Sequence, residues 1–248
     1  MCRALRSLLR LGLLLMLATR AGAQGGSWPT VQQQALWLTT SVEHKVTPRT
    51  SIWFDANWRR MGLGEEPQQV LLRPGIIHTI APGVRLGAGY TFVATAPYGE
   101  VPLAQPLREH RLWQQVTLNH TAGPLAITHR YRWEQRWIAP VNSTGLGGYA
   151  YQQRARYMVR AQAPLGGLTY RARPVTGYAQ EELLLPVGHG GSAGRFTQNR
   201  FLVGAGIPVS ARQRLDVGYM NLWNAIAAVP ANEVNHTVTL NWVIMSGK

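Results

Sequence analysis

Cysteine is almost absent from this 248-residue sequence, and its one occurrence, Cys2, precedes the first apolar run. That is the wrong side of the run for the lipid-modified cysteine of a lipoprotein. Once the leader is removed, no disulfide or thiol chemistry is available. Lysine is nearly missing too: Lys45 and Lys248 are the only two, so the basic character rests on arginine. Acidic residues are few, 11 against 25 Lys and Arg. No segment after residue 24 offers the roughly eighteen continuous apolar residues of a membrane-spanning helix, so a helical membrane protein is excluded. The seven histidines are scattered, with no pair at ligand spacing beside a carboxylate, so neither a metal nor a cofactor is expected.

The first 23 residues read as a signal peptide. Arg3, Arg6 and Arg10 form a basic start, Leu11 to Ala18 a short apolar run, and Ala21-Gly22-Ala23 a cleavage site of small residues. Removing Arg3, Arg6, Arg10 and Arg20 takes the formal charge from +14 to +10. Such a charge suits nucleic acid, anionic lipid or anionic solutes. The arginines alternate singly with apolar residues and form no patch, which argues against nucleic acid.

What remains alternates with period two for about ten residues at a time. In Thr50 to Arg60, Ile52, Phe54, Ala56 and Trp58 point one way and Ser51, Asp55, Asn57 and Arg59 the other. Eleven such segments are legible, roughly 35–46, 50–60, 69–80, 84–95, 108–120, 125–137, 149–162, 168–181, 195–208, 214–222 and 235–245. Their length suits tilted strands crossing a hydrocarbon core, where soluble strands more often have five or six residues. The connections alternate too. Short turns fall at 47–49, 81–83, 121–124, 163–167 and 209–213, and longer polar stretches at 61–68, 96–107, 138–148, 182–194 and 223–234. Short turns at one end and long loops at the other characterise outer-membrane barrels. Trp58, Tyr98, Trp137, Tyr149, Tyr178 and Trp223 sit at segment ends beside long loops, as interface girdles do.

The fold class is therefore an all-β, transmembrane, antiparallel up-and-down barrel over residues 35–248. Residues 24–34 supply either an extra strand, giving twelve, or a plug in the lumen; ten strands follow if two segments are misread. The paired glycines Gly87/Gly89 and Gly204/Gly206 mark bends or close packing in the wall rather than phosphate cradles.

An ordered series of residues carries a resemblance. It runs from Trp37 and Trp53 through Arg73-Pro74-Gly75, Gly87-Ala88-Gly89-Tyr90 and Glu109-His110-Arg111-Leu112-Trp113-Gln114-Gln115. It continues with Tyr131-Arg132-Trp133-Glu134-Gln135-Arg136, Gln198-Asn199-Arg200, Leu215 to Asn221 and Asn235-His236. The series is similar to the bacterial DUF2490 family, predicted outer-membrane barrels of unknown function. The resemblance implies a barrel and an outer-membrane location and brings no activity or ligand. The chain departs from many outer-membrane proteins in lacking a terminal aromatic; Trp242 is the nearest.

If the apolar sides face lipid, the lumen receives Arg73, Arg85, Glu109, Arg111, Arg130, Arg132, Glu134, Arg136, Arg154, Arg156, Arg160, Arg171, Arg173, Arg200 and Asp216. In this set arginines exceed carboxylates several-fold. Two readings follow: a salt-bridged interior that plugs and rigidifies the barrel, or a narrow pore favouring anionic solutes. The expected partners are outer-membrane lipid and lipopolysaccharide, the barrel-assembly machinery and anionic small solutes. No catalytic residue is assigned. The rival is a lipid-modifying hydrolase drawing on His110, His120, His129, His189 or His236, with Ser192 beside His189.

Overall fold

A computed structural model describes residues 28–100, 102–142, 148–188, 197–226 and 231–247. Eleven strands form one closed barrel: β1 (Thr30–Lys45), β2 (Thr50–Met61), β3 (Glu66–Ala81), β4 (Val84–Thr95), β5 (Leu107–Ala122) and β6 (Leu125–Pro140) come first. β7 (Ala150–Tyr170), β8 (Arg173–Val187), β9 (Gln198–Pro208), β10 (Gln213–Ile226) and β11 (Ala231–Gly247) complete the wall. Each strand pairs antiparallel with the next, and β1 closes the barrel against β11 in parallel, Thr30 beside Asn232 and Lys45 beside Gly247. Closure leaves no free sheet edge.

Each of the eleven alternating segments corresponds to one strand. The expected extra element over 24–34 is not a separate strand or a plug where it is described: Thr30 to Gln34 are the first residues of β1. Eleven strands replace the expected twelve, and the parallel seam is what an odd number requires when every other pair is antiparallel. The polar Gln32 and Gln34 are tolerated because they point outward at the long-loop end, beyond the apolar part of the wall. The leader and its cleavage site lie outside the described residues.

A second correction concerns β7 and β8. Pro164 to Gly167 are not the turn; they lie within β7, where its register to β8 shifts, and the hairpin turns at Arg171-Ala172. Both turn residues have positive φ, 50° and 59°. The strands also reach further toward the long-loop end than expected: β2 runs to Met61 and β3 starts at Glu66, while β8 continues through Val187.

The two faces of the wall differ. Ile52, Phe54, Trp58, Val70, Leu72, Ile76, Leu112, Val116, Tyr131 and Trp133 are exposed on the outside. Asp55, Asn57, Arg59, Glu109, Arg111, Arg132, Glu134, Arg156, Glu182 and Asp216 are buried within. Apolar outside and polar inside inverts the arrangement of a water-soluble barrel.

Candidate functional site: an arginine-lined interior

Three carboxylates organise the interior. Glu182 of β8 holds Arg130 at 2.8 Å, Arg156 at 2.7 Å and Arg200 at 3.4 Å, from β6, β7 and β9. Glu134 of β6 takes Arg156 at 2.7 Å and Arg154 at 2.5 Å. Glu109 of β5 receives both Arg111, in a two-bond fork at 2.6 and 2.8 Å, and Arg136. Arg156 therefore bridges two of the three hubs. Such forks fix geometry as well as charge.

Further pairs join strands that are not neighbours. Arg160 on β7 reaches Asp216 on β10 at 3.2 Å, and Arg85 on β4 pairs with Glu43 on β1. Asp55 pairs with Arg73 and also accepts from Ser41, while Arg214 meets Asp216 at 2.6 Å.

Aromatic rings supply the other supports. Trp113 lies on the inner wall against the facing glycines Gly75 and Gly89, and Arg132 stands 4.5 Å above its ring. Tyr178 repeats the arrangement, with its hydroxyl against the facing pair Gly204 and Gly218 and Arg160 at 3.8 Å above the ring. Gly75, Gly89, Gly204 and Gly218 leave room that a Cβ would fill, so the wall glycines serve close packing. Trp37 carries Arg59 at 3.5 Å and Arg200 at 5.3 Å; the two cations reach it from β2 and β9. Each such contact contributes about 0.5–2 kcal/mol, the more so where water is excluded.

Most of the expected lumen residues are thus brought together: Arg73, Arg85, Glu109, Arg111, Arg130, Arg132, Glu134, Arg136, Arg154, Arg156, Arg160, Arg200 and Asp216 all face inward. Arg171 and Arg173 do not. They sit at the exposed β7–β8 turn, because the hairpin turns eight residues later than Ala163. Glu43, Asp55, Glu182 and Glu233 also point inward, so the arginine excess is much smaller than several-fold. Glu182, the central hub, falls in a stretch whose composition reads as loop. Its strand phase, shared with Tyr178 and Gln180, is the signal that finds it. Tyr178 and Tyr98 also leave the expected girdle: Tyr178 is inside, and Tyr98 packs on the Trp37 cluster.

Two cavities remain in this interior, of about 210 and 270 Å³. Trp37, Arg59, Arg73, Arg156 and Arg200 belong to the walls of both and form a waist between them. The smaller cavity lies toward the short turns, with Asp55, Arg132 and Tyr178 in its wall; the larger lies toward the long loops, with Glu109, Arg136 and Glu233.

On the outer face the histidines meet aromatic and polar neighbours. His110 bonds the hydroxyls of Tyr90 and Tyr149. His129 stacks on His120 and accepts or donates to Tyr157 at 2.9 Å. His236 bonds Tyr219 at 2.6 Å. His189 and Ser192 lie outside the described residues. A serine–histidine contact not anticipated from the sequence does occur, His44 Nδ1 to Ser246 Oγ at 2.9 Å across the parallel seam. Among the described residues no acid hydrogen-bonds to that histidine, and no group of three or more histidine and acidic side chains gathers as a metal site would.

No solved structure matches the chain. An uncharacterized protein of Methylorubrum extorquens is 24% identical over 94% of this chain and 95% of its own length. The sequence pattern of the DUF2490 family, described as a protein of unknown function, matches residues 34–232. With most of the barrel inside that match, the chain belongs to the DUF2490 family.

Proposed function

We propose that this chain is a Gram-negative outer-membrane β-barrel, exported by its leader, whose lumen is held closed by its own arginine–carboxylate network. The outer wall supports a membrane location. A water-soluble monomer rarely exposes more than a few hundred Å² of contiguous apolar surface, and here apolar side chains are exposed around the barrel. On β5 the outward His110 and His120 lie ten residues apart, with Leu112, Val116 and Leu118 between them and one polar residue, Gln114, which bonds Gln135 of β6. Ten residues span roughly 33 Å of strand, or about 23 Å of height at a tilt near 45°. An apolar band of about 25 Å between aromatic girdles is what an outer-membrane barrel presents. Tyr90, His110 and Tyr149 gather at one end, and His120 and His129 stack at the other.

The single observation that carries the closed-lumen reading is Glu182, which holds arginines from three strands, two of them, Arg156 and Arg200, at the waist. Fixed ion pairs occupy the section that an open pore would leave to water. The anion-selective pore is the competing form of the same reading, and the hydrolase has only the exposed His44–Ser246 contact in its favour.

Two measurements test the proposal. Refolded protein should migrate faster on a gel unheated than boiled, and should give no steady conductance in a planar bilayer. A protein that stays soluble without detergent would refute the membrane reading; steady anion-selective current would replace the closed barrel with the pore.

A further inference from the structure

The larger cavity is not neutralised by its own walls. Seven arginines and two carboxylates, Glu109 and Glu233, line its 270 Å³. Behind the wall Arg73 has Asp55, Arg154 and Arg156 share Glu134, and Glu182 is divided among three arginines, while Glu109 is shared by Arg111 and Arg136. Arg59 has no carboxylate partner among the described residues: it donates to the amide oxygens of Asn57 and Gln69 and lies flat on Trp37. Cations confined in a low-dielectric cavity and left without counter-charge create a site for an anion.

The wall of the same cavity at β11 has a different character. Asn235 is 1% exposed, and its side-chain oxygen has no hydrogen-bond partner among the described residues. Beside it Glu233 is already satisfied, accepting from Gln33 at 3.0 Å, from Asn224 at 3.3 Å and from the Tyr98 hydroxyl, with no arginine. Burying an acceptor unsatisfied costs about 1–3 kcal/mol, and a donor from a bound molecule would remove that cost. Arg200, a wall residue of the same cavity, likewise has its Nε buried without an acceptor among the described residues. Arg59 of β2, Arg136 of β6 and Arg200 of β9 thus supply donors, and Asn235 of β11 an acceptor, in the wall of one chamber.

Building on the outer-membrane barrel reading, we infer that this chamber binds a small hydroxylated organic anion. A phosphate or carboxylate end faces Arg59, Arg136 and Arg200, and a hydroxyl group donates to Asn235. The volume is below the roughly 300–1,000 Å³ of pockets for drug-sized ligands, which limits the ligand to about the size of a monosaccharide phosphate. The waist beneath makes the chamber a receptor with a floor rather than the mouth of a channel.

Calorimetric titration of detergent-refolded protein at low salt tests this, with glucose 6-phosphate, inorganic phosphate and glucose as probes. Glucose 6-phosphate is expected to bind at least tenfold tighter than phosphate, and glucose not at all. Arg59→Gln and Arg136→Gln should each weaken glucose 6-phosphate at least tenfold. Arg85→Gln, whose guanidinium pairs with Glu43 outside the chamber, should leave it unchanged. No binding, phosphate binding as tightly as the sugar phosphate, or equal weakening by all three substitutions would overturn the inference. Two chamber variants guard against one of them failing to fold. Heat-modifiable migration of the same sample keeps the failures apart: a folded barrel that binds nothing defeats the chamber alone, while a protein soluble without detergent defeats the membrane reading.

Discussion

The indole of Trp113 rests on the backbone of Gly89, in space where any other residue would place its Cβ. The facing Gly75 has the same constraint, with Trp113 Cζ2 2.5 Å from where a Cβ would stand. Trp113 is 1% exposed and holds Arg132 on its other face, so it has no free direction in which to yield. Gly89→Ala should therefore destabilise the barrel by about 1–3 kcal/mol, the usual cost of overpacking. The midpoint of urea unfolding in detergent measures it. Unchanged stability would mean that the ring is not seated on the glycine pair.

Glu182 neutralises more arginines than any other carboxylate in the interior. Glu182→Gln keeps the shape and removes the charge, leaving Arg130 and Arg200 without a carboxylate while Arg156 retains Glu134. Breaking a buried pair on one side costs about 3–5 kcal/mol. Unfolding in urea should shift accordingly. In the closed-barrel reading, conductance of the variant should rise from zero to an anion-preferring current; a variant as stable as the parent would remove Glu182 from the centre of the network.

Much of this architecture was legible in the sequence because strand alternation is a local property. The alternation over Thr50 to Arg60 put Ser51, Asp55, Asn57 and Arg59 on one face of β2 and Ile52, Phe54, Ala56 and Trp58 on the other, as they stand in the barrel. The β7–β8 hairpin was not legible, for a physical reason. Pro164, Gly166 and Gly167 have turn chemistry but occupy a shift in strand register, whereas Arg171 and Ala172 adopt positive φ without glycine or asparagine to announce it. That displacement cost Arg171 and Arg173 their place in the lumen. Glu182 was missed by the same kind of error at the other end of β8. Periodicity counted the eleven strands, but the parallel closure of β1 on β11 leaves no mark on either strand alone, so nothing in the sequence told against a twelfth strand to make the number even. The ion pairs could not be read either, since Arg160 and Asp216 meet only once the barrel is closed.

Substitutions on the outer wall should depend on depth. Val116→Arg places a cation on the outward face of β5 between Leu112 and His120, and should cost about 2–4 kcal/mol if that face meets the bilayer midplane. His120→Arg, at the girdle, should cost about 0–1 kcal/mol. Unfolding into urea from lipid vesicles compares the two. Equal, small effects would place the outer face in water.

The parallel seam makes its own prediction about sidedness. Trp28 precedes β1 at the long-loop end, close enough for its carbonyl to accept from Asn232 at 3.4 Å, and Leu63 lies exposed in the β2–β3 connection at that same end. Arg171 lies at the opposite, short-turn end. Because Cys2 is the sole cysteine and belongs to the expected leader, single-cysteine variants report position without background. With the long loops outside the cell, Trp28→Cys and Leu63→Cys should react with a membrane-impermeant maleimide in intact cells. Arg171→Cys should react only after the outer membrane is opened. A Trp28→Cys variant labelled together with Arg171→Cys would mean that an additional crossing separates Trp28 from Leu63, which restores an even-stranded barrel. Labelling of Trp28→Cys with Leu63→Cys follows from eleven strands, because a chain that enters β1 at the long-loop end and leaves β11 at the short-turn end can close only in parallel.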